Sequence, residues 1–271
     1  MKNAIKSLIP PVLFNAAKKI KRPAPVFSRY ADALAQCQND AYENDEIIKV
    51  VVEKNLIYKN KVAKHKTLDF NAIRTLLALG IMDNEKTFNV LDFGGGGGYH
   101  HAIAKIGFRS SKIKWNVVET TAMAKEAQRL AGDDLRFFDN IDIAKQALGE
   151  IDLLFSSSAL QYCPDPLAML QKLVDVEARH LFITRTAFND APGTIIAIQR
   201  SHLADNGPGP LPDGFQNKEI AYPISFVDKA EVEKILTTKY DIRFAIEENQ
   251  AVHVIGDKEM HLYGYFCDLR R

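Results

Sequence analysis

The chain has 271 residues, 46% of them apolar, and a formal net charge of +1. This length and composition suffice to bury a sizeable core, either in one large domain or in one domain with an appendage. The net charge near zero provides no global field that would attract nucleic acid or a strongly acidic partner. We therefore expect neither kind of partner.

The cysteines indicate the redox environment. Cys37, Cys163 and Cys267 are far apart, odd in number and without a CxxC pair. Such a set is typical of free thiols in a reducing cytoplasm and argues against a disulfide framework or a zinc site. No apolar stretch reaches the roughly 18 residues that a membrane span requires. We expect a cytoplasmic protein.

Residues 1–22 are basic and partly apolar, and they contain no acid. Pro10 and Pro11 interrupt the apolar run, and Lys18 and Lys19 follow soon after, so the segment lacks the unbroken core of a signal peptide. Two interpretations remain open. The segment either rests peripherally on an anionic membrane as a basic amphipathic helix, or it is a helical arm packed on the domain or on a partner.

The chain then divides into a helical extension, residues 1–65, and a domain, residues 66–271. Asn44 marks a helix start within the extension, and apolar residues at helical spacing predict a helix near 70–80 with Gly80 as its C-cap. Strand-like runs then alternate with helical segments, which predicts βαβ units around a parallel sheet. The strands are expected near 88–93, 113–119, 135–138, 151–156 and 180–184, and the helices near 100–107, 121–131, 141–148 and 166–176.

Residues 186–226 break this alternation with sequence rich in proline and glycine. They predict a long loop inserted in the domain, either a lid over a binding site or a passive insertion. After a helix near 228–238, three strand-like runs follow at 242–246, 251–255 and 262–266. The gaps between these runs are too short for helical crossovers, so we expect the sheet to end antiparallel.

Five successive glycines, Gly94 to Gly98, separate the first predicted strand from the first helix of the domain. Their spacing fits Asp-x-Gly-x-Gly-x-Gly once, with Asp92, Gly94, Gly96 and Gly98, whereas the dinucleotide pattern G-x-G-x-x-G/A fails in every register. Glycines let a ligand approach the backbone, and the helix start offers free N–H groups. The pattern favours S-adenosylmethionine (SAM), whose ammonium group Asp92 would attract, over a nicotinamide cofactor. A merely flexible turn is the alternative.

The ends of the next two strands carry further candidates for the cofactor site. Glu119 ends the second strand, about 20 residues beyond the glycines, where a carboxylate is placed to accept hydrogen bonds from both ribose hydroxyls. Asp139 follows the third strand and would accept from the adenine amino group, while Phe138 would pack on the ring. Each has a plain alternative: a solvated acid for Glu119, a helix N-cap at Asp139 or Asn140, and a core side chain for Phe138.

These residues resemble class I SAM-dependent methyltransferases over residues 66–271, with IDLLFSSSALQYCPDP at 151–166 similar to the family's fourth-strand motif and the loop after it. The glycine run with Tyr99, ALQY at 159–162 and AYPISF at 221–226 are similar to a little-characterised methyltransferase family associated with bacterial surface-polysaccharide genes. The resemblance implies a Rossmann-like, seven-stranded, mostly parallel sheet with an antiparallel last strand. One of the eight strand-like runs is then in excess. Gly95 and Gly97 exceed the general motif, and we expect them to loosen the loop.

Methyl transfer from a sulfonium chiefly needs alignment, and a base matters most when the acceptor is a hydroxyl. His100, His101 and Tyr162 are the candidate bases, and each also suits a structural or pocket-lining role. Arg185 ends the fifth strand and would hold an anionic acceptor, or else form a surface salt bridge. No spacing that suggests a metal site is found for His202, His253 and His261.

The sequence therefore predicts a SAM-dependent methyltransferase. We expect O-methylation of a sugar, a sugar-linked intermediate or a similar polar small molecule. A SAM-binding partner or scaffold protein without catalysis is the alternative.

Overall fold

The structure is a computed structural model that describes residues 25–37, 44–82, 87–109, 112–255 and 258–271. The predicted amphipathic segment 1–22 lies outside these residues. No helix among the described residues has both the length and the apolar character needed to cross a membrane.

The described N-terminal part is largely helical. It consists of a two-residue strand, β1 (Val26–Phe27), and the helices α1 (Tyr30–Leu34), α2 (Asp45–His65) and α3 (Ile73–Ile81). The Asn44 side chain caps α2 by accepting from the Glu46 N–H, and Lys66 ends the helix with a φ of 56°. The predicted start of α2 is thus confirmed. Gly80, in contrast, lies inside the last turn of α3, and Met82 is the C-cap.

The alternating part contains the predicted strands and helices. The strands are β2 (Thr87–Phe93), β3 (Lys112–Val118), β4 (Leu135–Phe138), β5 (Leu153–Ser157) and β6 (His180–Asn189). The helices are α4 (Tyr99–Gly107), α5 (Thr121–Ala127), α6 (Ile141–Leu148) and α7 (Pro166–Asp175). All five strands pair in parallel, as the βαβ pattern predicts.

The C-terminal part completes the main sheet. It comprises β7 (Ile195–His202), β8 (Glu219–Asp228), α8 (Lys229–Leu236), β9 (Tyr240–Ile255) and β10 (Lys258–Leu269). β10 runs antiparallel between β6 and β9, so seven strands follow the order β4-β3-β2-β5-β6-β10-β9. The predicted Rossmann-like sheet with a reversed last strand is confirmed. The excess run is explained because 242–246 and 251–255 belong to the single strand β9.

The prediction of a loop over residues 186–226 is wrong for most of its length. β6 extends to Asn189, and β7 and β8 form an antiparallel pair that β1 joins at its edge. The end of β8 pairs with β6 at Phe188 and Asn189. The strands form because Ala197, Ile224 and Phe226 bury their side chains in a small core of their own. Irregular chain is left mainly at 206–218.

Hydrophobic cores cover both faces of the main sheet. One face packs Phe88, Val90 and Trp115 against the helices α2 to α5, and the other packs Leu91 and Leu154 against α6 to α8. Alternate residues of β2 therefore point to opposite cores, as expected for a central parallel strand. Because α2 contributes to the first core, the described part of the predicted extension shares the hydrophobic core of the domain.

Candidate functional site

A cavity of about 1220 Å³ opens at the carboxyl ends of the parallel strands β2, β3, β5 and β6. Its floor includes the glycine run, Glu119 and Ser158, and residues of α2 and of segment 205–210 form the facing wall. Ligands of open α/β sheets bind at this edge. The volume exceeds the roughly 300–1,000 Å³ of an ordinary small-ligand pocket, so the cavity has room for two ligands.

The glycine run makes the tight turn from β2 into α4. Gly94, Gly96 and Gly98 have φ values of 74°, 56° and 85°, a backbone region that favours glycine. At Gly95 an added Cβ would lie 2.3 Å from Asp92 Oδ2, and at Gly97 it would lie 2.7 Å from Asn55 Cβ. Close packing therefore requires glycine at residues 95 and 97, and the loosening of the loop that we expect from them stays a prediction.

Asp92 lies beneath this turn and does not line the cavity. Its side chain is fully buried, and Oδ2 accepts from the Trp115 Nε1–H at 2.9 Å. Burial raises the pKa of Asp92 to about 8, with the hydrogen bond from Trp115 opposing the shift. The structure corrects the predicted role, because Asp92 supports the turn from below and offers no carboxylate to a ligand's ammonium group.

Glu119 ties the second strand to the glycine run. Its Oε1 accepts from the Gly96 N–H at 2.8 Å, its Oε2 accepts from the Thr120 N–H at 3.2 Å, and the side chain lines the cavity. Burial raises its pKa while these two hydrogen bonds lower it. Since a carboxylate has about four lone-pair sites, Glu119 keeps acceptor capacity for a ligand hydroxyl.

The residues after β4 take separate positions. Asp139 lies at the cavity rim and accepts from Thr121 Oγ1 at 3.0 Å. Asn140, not Asp139, caps α6 by accepting from two backbone N–H groups. Phe138 packs into the core next to α6 and is not among the side chains of the cavity wall, whose apolar members here are Met123 and Ile141. This position favours the core interpretation of Phe138.

The adjacent histidines of α4 point in different directions. His100 lines the cavity, its Nδ1 lies 2.8 Å from Thr75 Oγ1, and its ring meets Phe155 edge-on. Burial and, to a smaller extent, two nearby arginines lower its pKa to about 3. His101 contacts Asp134 at 3.1 Å and lies away from the cavity, which removes it from the candidate bases there.

Tyr162 and Arg185 both line the cavity beyond the ends of β5 and β6. The Tyr162 hydroxyl donates to Gln199 Oε1 at 3.2 Å, and burial raises the pKa of the phenol. Arg185 is half-buried with a φ of 53°, and its carbonyl accepts from Gln161 Nε2 at 3.1 Å. The structure thus brings His100, Tyr162 and Arg185 to one cavity.

The facing wall of the cavity is formed by residues that the sequence did not mark as candidates. The rings of Tyr58 and Tyr99 lie 4.8 Å apart, and the Tyr99 hydroxyl donates to Asp69 Oδ1 at 2.8 Å. Lys54 lies on α2, as does Tyr58, and is buried. It donates to the Ala204 carbonyl at 2.6 Å and so links α2 to the segment that faces it. The spacing of Asn55 and Tyr58 places them on one face of a helix, but nothing in the sequence indicates that α2 reaches the glycine run.

Among the described residues, no three His, Cys, Asp or Glu side chains are grouped as metal ligands. The arrangement has instead the parts of a nucleotide-type site: a glycine turn at a helix start and an acid at the end of the adjacent strand.

No protein-family profile and no curated protein matches the sequence. Solved structures do resemble the fold. A SAM-dependent methyltransferase from Clostridium acetobutylicum matches with a TM-score of 0.45 and 14% identity over 79% of this chain and 96% of its own. The CcbJ methyltransferase from Streptomyces caelestis has a TM-score of 0.46 and 10% identity over 73% and 96%. Magnesium protoporphyrin IX methyltransferase from Synechocystis has a TM-score of 0.43 and 12% identity over 82% and 97%. These TM-scores are below 0.5, so the likeness by itself carries no argument about function.

Proposed function

We propose that this protein is a SAM-dependent methyltransferase that methylates an oxygen of a polar small molecule, such as a sugar or a sugar-linked intermediate. The observation that carries the proposal is the junction of the glycine run with Glu119 at one cavity, where Glu119 Oε1 accepts from the Gly96 N–H. The cradle suits a ligand that approaches the backbone closely and presents hydroxyls to a carboxylate.

Several residues fit the parts of SAM. Glu119 would accept from the ribose hydroxyls, Asp139 at the rim would accept from the adenine amino group, and Met123 with Ile141 would flank the ring. When bound, SAM supplies an already activated methyl group. The chain's task is then to align the acceptor and exclude water, which contributes on the order of 7–11 kcal/mol to such reactions.

The side chains of the facing wall are consistent with a polar acceptor. Tyr58 and Tyr99 present aromatic rings, and Asp69 and Asn55 add groups that hydrogen-bond to hydroxyls. Rings beside polar side chains suit a molecule with apolar faces and hydroxyl edges, as a sugar has. The link to surface polysaccharides comes from the sequence resemblance alone.

Thermal unfolding with S-adenosylhomocysteine, and with NAD for comparison, tests the cofactor. A native-state ligand at about 100 times its Kd adds roughly 2.7 kcal/mol, which for a chain of this size raises Tm by about 5–10 °C. We expect this rise with S-adenosylhomocysteine and none with NAD. The reverse result would reject the proposal.

Replacing Glu119 with glutamine tests the ribose assignment. The variant keeps the size of the side chain but loses the charge, so we expect S-adenosylhomocysteine affinity to fall by about 10–100-fold, equivalent to about 1.5–3 kcal/mol for hydrogen bonds to a charged group. Calorimetric titration measures the effect, with the exposed Asp133→Asn as control. Unchanged affinity would show that Glu119 does not hold the ribose.

A further inference from the structure

Arg185 places an uncompensated positive charge in the cavity. Its half-buried guanidinium has no hydrogen bond or ion pair within the part of the chain that the structure describes. Arg74, the other arginine near His100, is in contrast paired with the buried Glu248, to which its Nε donates at 2.9 Å. Arg185 also adopts a left-handed backbone conformation, with a φ of 53°, inside a β-strand. Strain of this kind clusters at ligand sites, and a partly desolvated cation favours an anionic partner.

His100 presents a neutral N–H to the same space. The Thr75 hydroxyl is fully buried, and His100 Nδ1 at 2.8 Å is its sole hydrogen-bond partner among the described residues. A buried hydroxyl donates its proton where it can, so we assign the acceptor role to Nδ1. The ring proton of neutral His100 then lies on Nε2, and Nε2 is a donor.

The surroundings of His100 oppose its protonation. It is packed between Phe155 of β5 and its chain neighbour Tyr99, a phenol that burial keeps protonated. The charged groups that act on it are Arg185 from β6 and Arg74 from α3, and the latter is paired with Glu248 from β9. Burial and both cations lower the His100 pKa to about 3. His100 is therefore a poor base for a substrate hydroxyl at neutral pH.

Two other side chains of the cavity, Tyr162 and Cys163, are no better as bases. Burial raises the pKa of the Tyr162 phenol, so it stays protonated and donates to Gln199. Burial also raises the pKa of the Cys163 thiol to about 12. At this end of the cavity, the Arg185 guanidinium and the His100 N–H are therefore available as donors, beside a phenol whose proton is already donated to Gln199. This set binds negative charge and removes no proton.

We infer that the acceptor reacts as a carboxylate, held by the Arg185 guanidinium and the His100 Nε2–H, and that the product is a methyl ester. A carboxylate matches one guanidinium, whereas a phosphate monoester carries about −1.5 to −2 charges and calls for more cations. An acidic sugar is one such acceptor. The inference rests on the proposed function and deepens it.

The reaction balances without a protein base. A carboxylate oxygen forms a bond to the methyl carbon as the bond between that carbon and sulfur breaks, and the electron pair of the broken bond stays on sulfur. One negative and one positive charge cancel, which leaves a neutral ester and a neutral thioether. No proton moves.

The chemical stability of the product distinguishes the possibilities. The full-length protein is incubated with methyl-labelled SAM and a small-molecule extract of the cells from which the gene comes, and the labelled product is treated with mild alkali. We expect the label to be released as volatile methanol, as a methyl ester requires. Label that resists alkali indicates an ether, an amine or a phosphate and overturns the inference while leaving the methyltransferase intact. No transfer to any acceptor rejects the proposed function, and the inference with it.

Substitutions and a pH profile test the roles of Arg185 and His100, with kcat/KM measured on the acceptor that the labelling identifies. Arg185→Gln should lower kcat/KM by about 10²–10³-fold, and Arg185→Lys should restore part of it, with S-adenosylhomocysteine affinity unchanged as the check on folding. His100→Leu, which removes the donor, should raise KM for the acceptor, and His100→Gln, which keeps a donor, should recover part of that loss. Because carboxylates ionise near pH 4, kcat/KM should be level between about pH 6.5 and 9. A tenfold rise per pH unit, or full activity in Arg185→Gln, would contradict the inference.

Discussion

At the scale of single residues, the pair of Asp92 and Trp115 supports the glycine turn from inside. The carboxyl group fills the space that a side chain at Gly95 would need, and the indole N–H fixes its orientation at 2.9 Å. A buried carboxyl group with one strong donor is easier to keep neutral than ionised, which is why its pKa rises to about 8.

The raised pKa of Asp92 leads us to expect that the free energy of unfolding depends on pH. The folded chain retains a proton up to about pH 8 that the unfolded chain releases near pH 4, so this contribution is complete below pH 4 and is lost as the pH rises toward 8. The free energy of unfolding of wild type should therefore fall over this window by more than that of Asp92→Asn, in which the site is uncharged throughout. Urea unfolding at pH 5, 6.5 and 8 measures the difference, with the exposed Asp133→Asn as control. Parallel pH profiles would show that Asp92 is ionised in the folded protein.

At the scale of elements, the glycine run and the strand ends could be predicted because their signals are local. A strand, a turn and a helix follow one another in sequence, and Glu119 is recognised by its place at the end of the next strand. The facing wall could not be predicted, because Tyr58 and Asn55 reach the site only through the packing of α2 on α4 and α5. Adjacent His100 and His101 likewise give no local sign of which one faces the cavity.

The strands β7 and β8 show a second reason for failure. Proline and glycine at 207–214 lie in the connection between the two strands. In the prediction of a loop they outweighed the apolar residues on either side, Ile195 to Ile198 and Ile220 to Val227. Pro223 lies within β8 opposite Ile198. Because proline has no N–H to donate to a neighbouring strand, its presence in a sequence argues against a strand. Burial of Tyr222 and Ile224 overrides that local preference.

Substitution of two glycines by alanine separates tight packing from a merely permissive turn. Gly95→Ala would force its Cβ to within 2.3 Å of the Asp92 carboxyl, so we expect a loss of about 1–3 kcal/mol in unfolding free energy together with weaker S-adenosylhomocysteine binding. Gly80→Ala in α3 meets no atom within 4 Å, and we expect a gain of about 0.5–1 kcal/mol. Chemical denaturation of both variants measures the contrast. A tolerated alanine at residue 95 would favour the flexible turn that the sequence left open.

At the scale of the whole molecule, the last strand completes the sheet from within. β10 has β6 on one side and β9 on the other, and its Tyr265 hydroxyl donates to Glu233 of α8 at 2.6 Å. The final residues therefore hold together two strands that do not otherwise form a ladder in the main sheet.

Truncation after Gly256 should consequently abolish cooperative unfolding. Without β10, the strands β6 and β9 each expose unpaired backbone groups, and such edges promote aggregation. We expect a chain that elutes as aggregates in size-exclusion chromatography and shows no sharp thermal transition. Removal of the exposed Arg271 alone is the control and should leave Tm unchanged. A soluble truncated chain with the wild-type Tm would refute the structural role of β10.

The two walls of the cavity have different origins in the chain, and this bears on how the protein can evolve. The wall that we propose for the methyl donor comes mainly from one stretch, residues 93–142, whereas the facing wall draws on α2, on residues 67–71 and on segment 205–210, together with Tyr99 and His100 from the first stretch. A mutation in segment 205–210 changes the facing wall and alters no residue of that stretch. Under the proposed function, substitutions in this segment can change the accepted molecule step by step while the residues proposed to hold the donor stay the same.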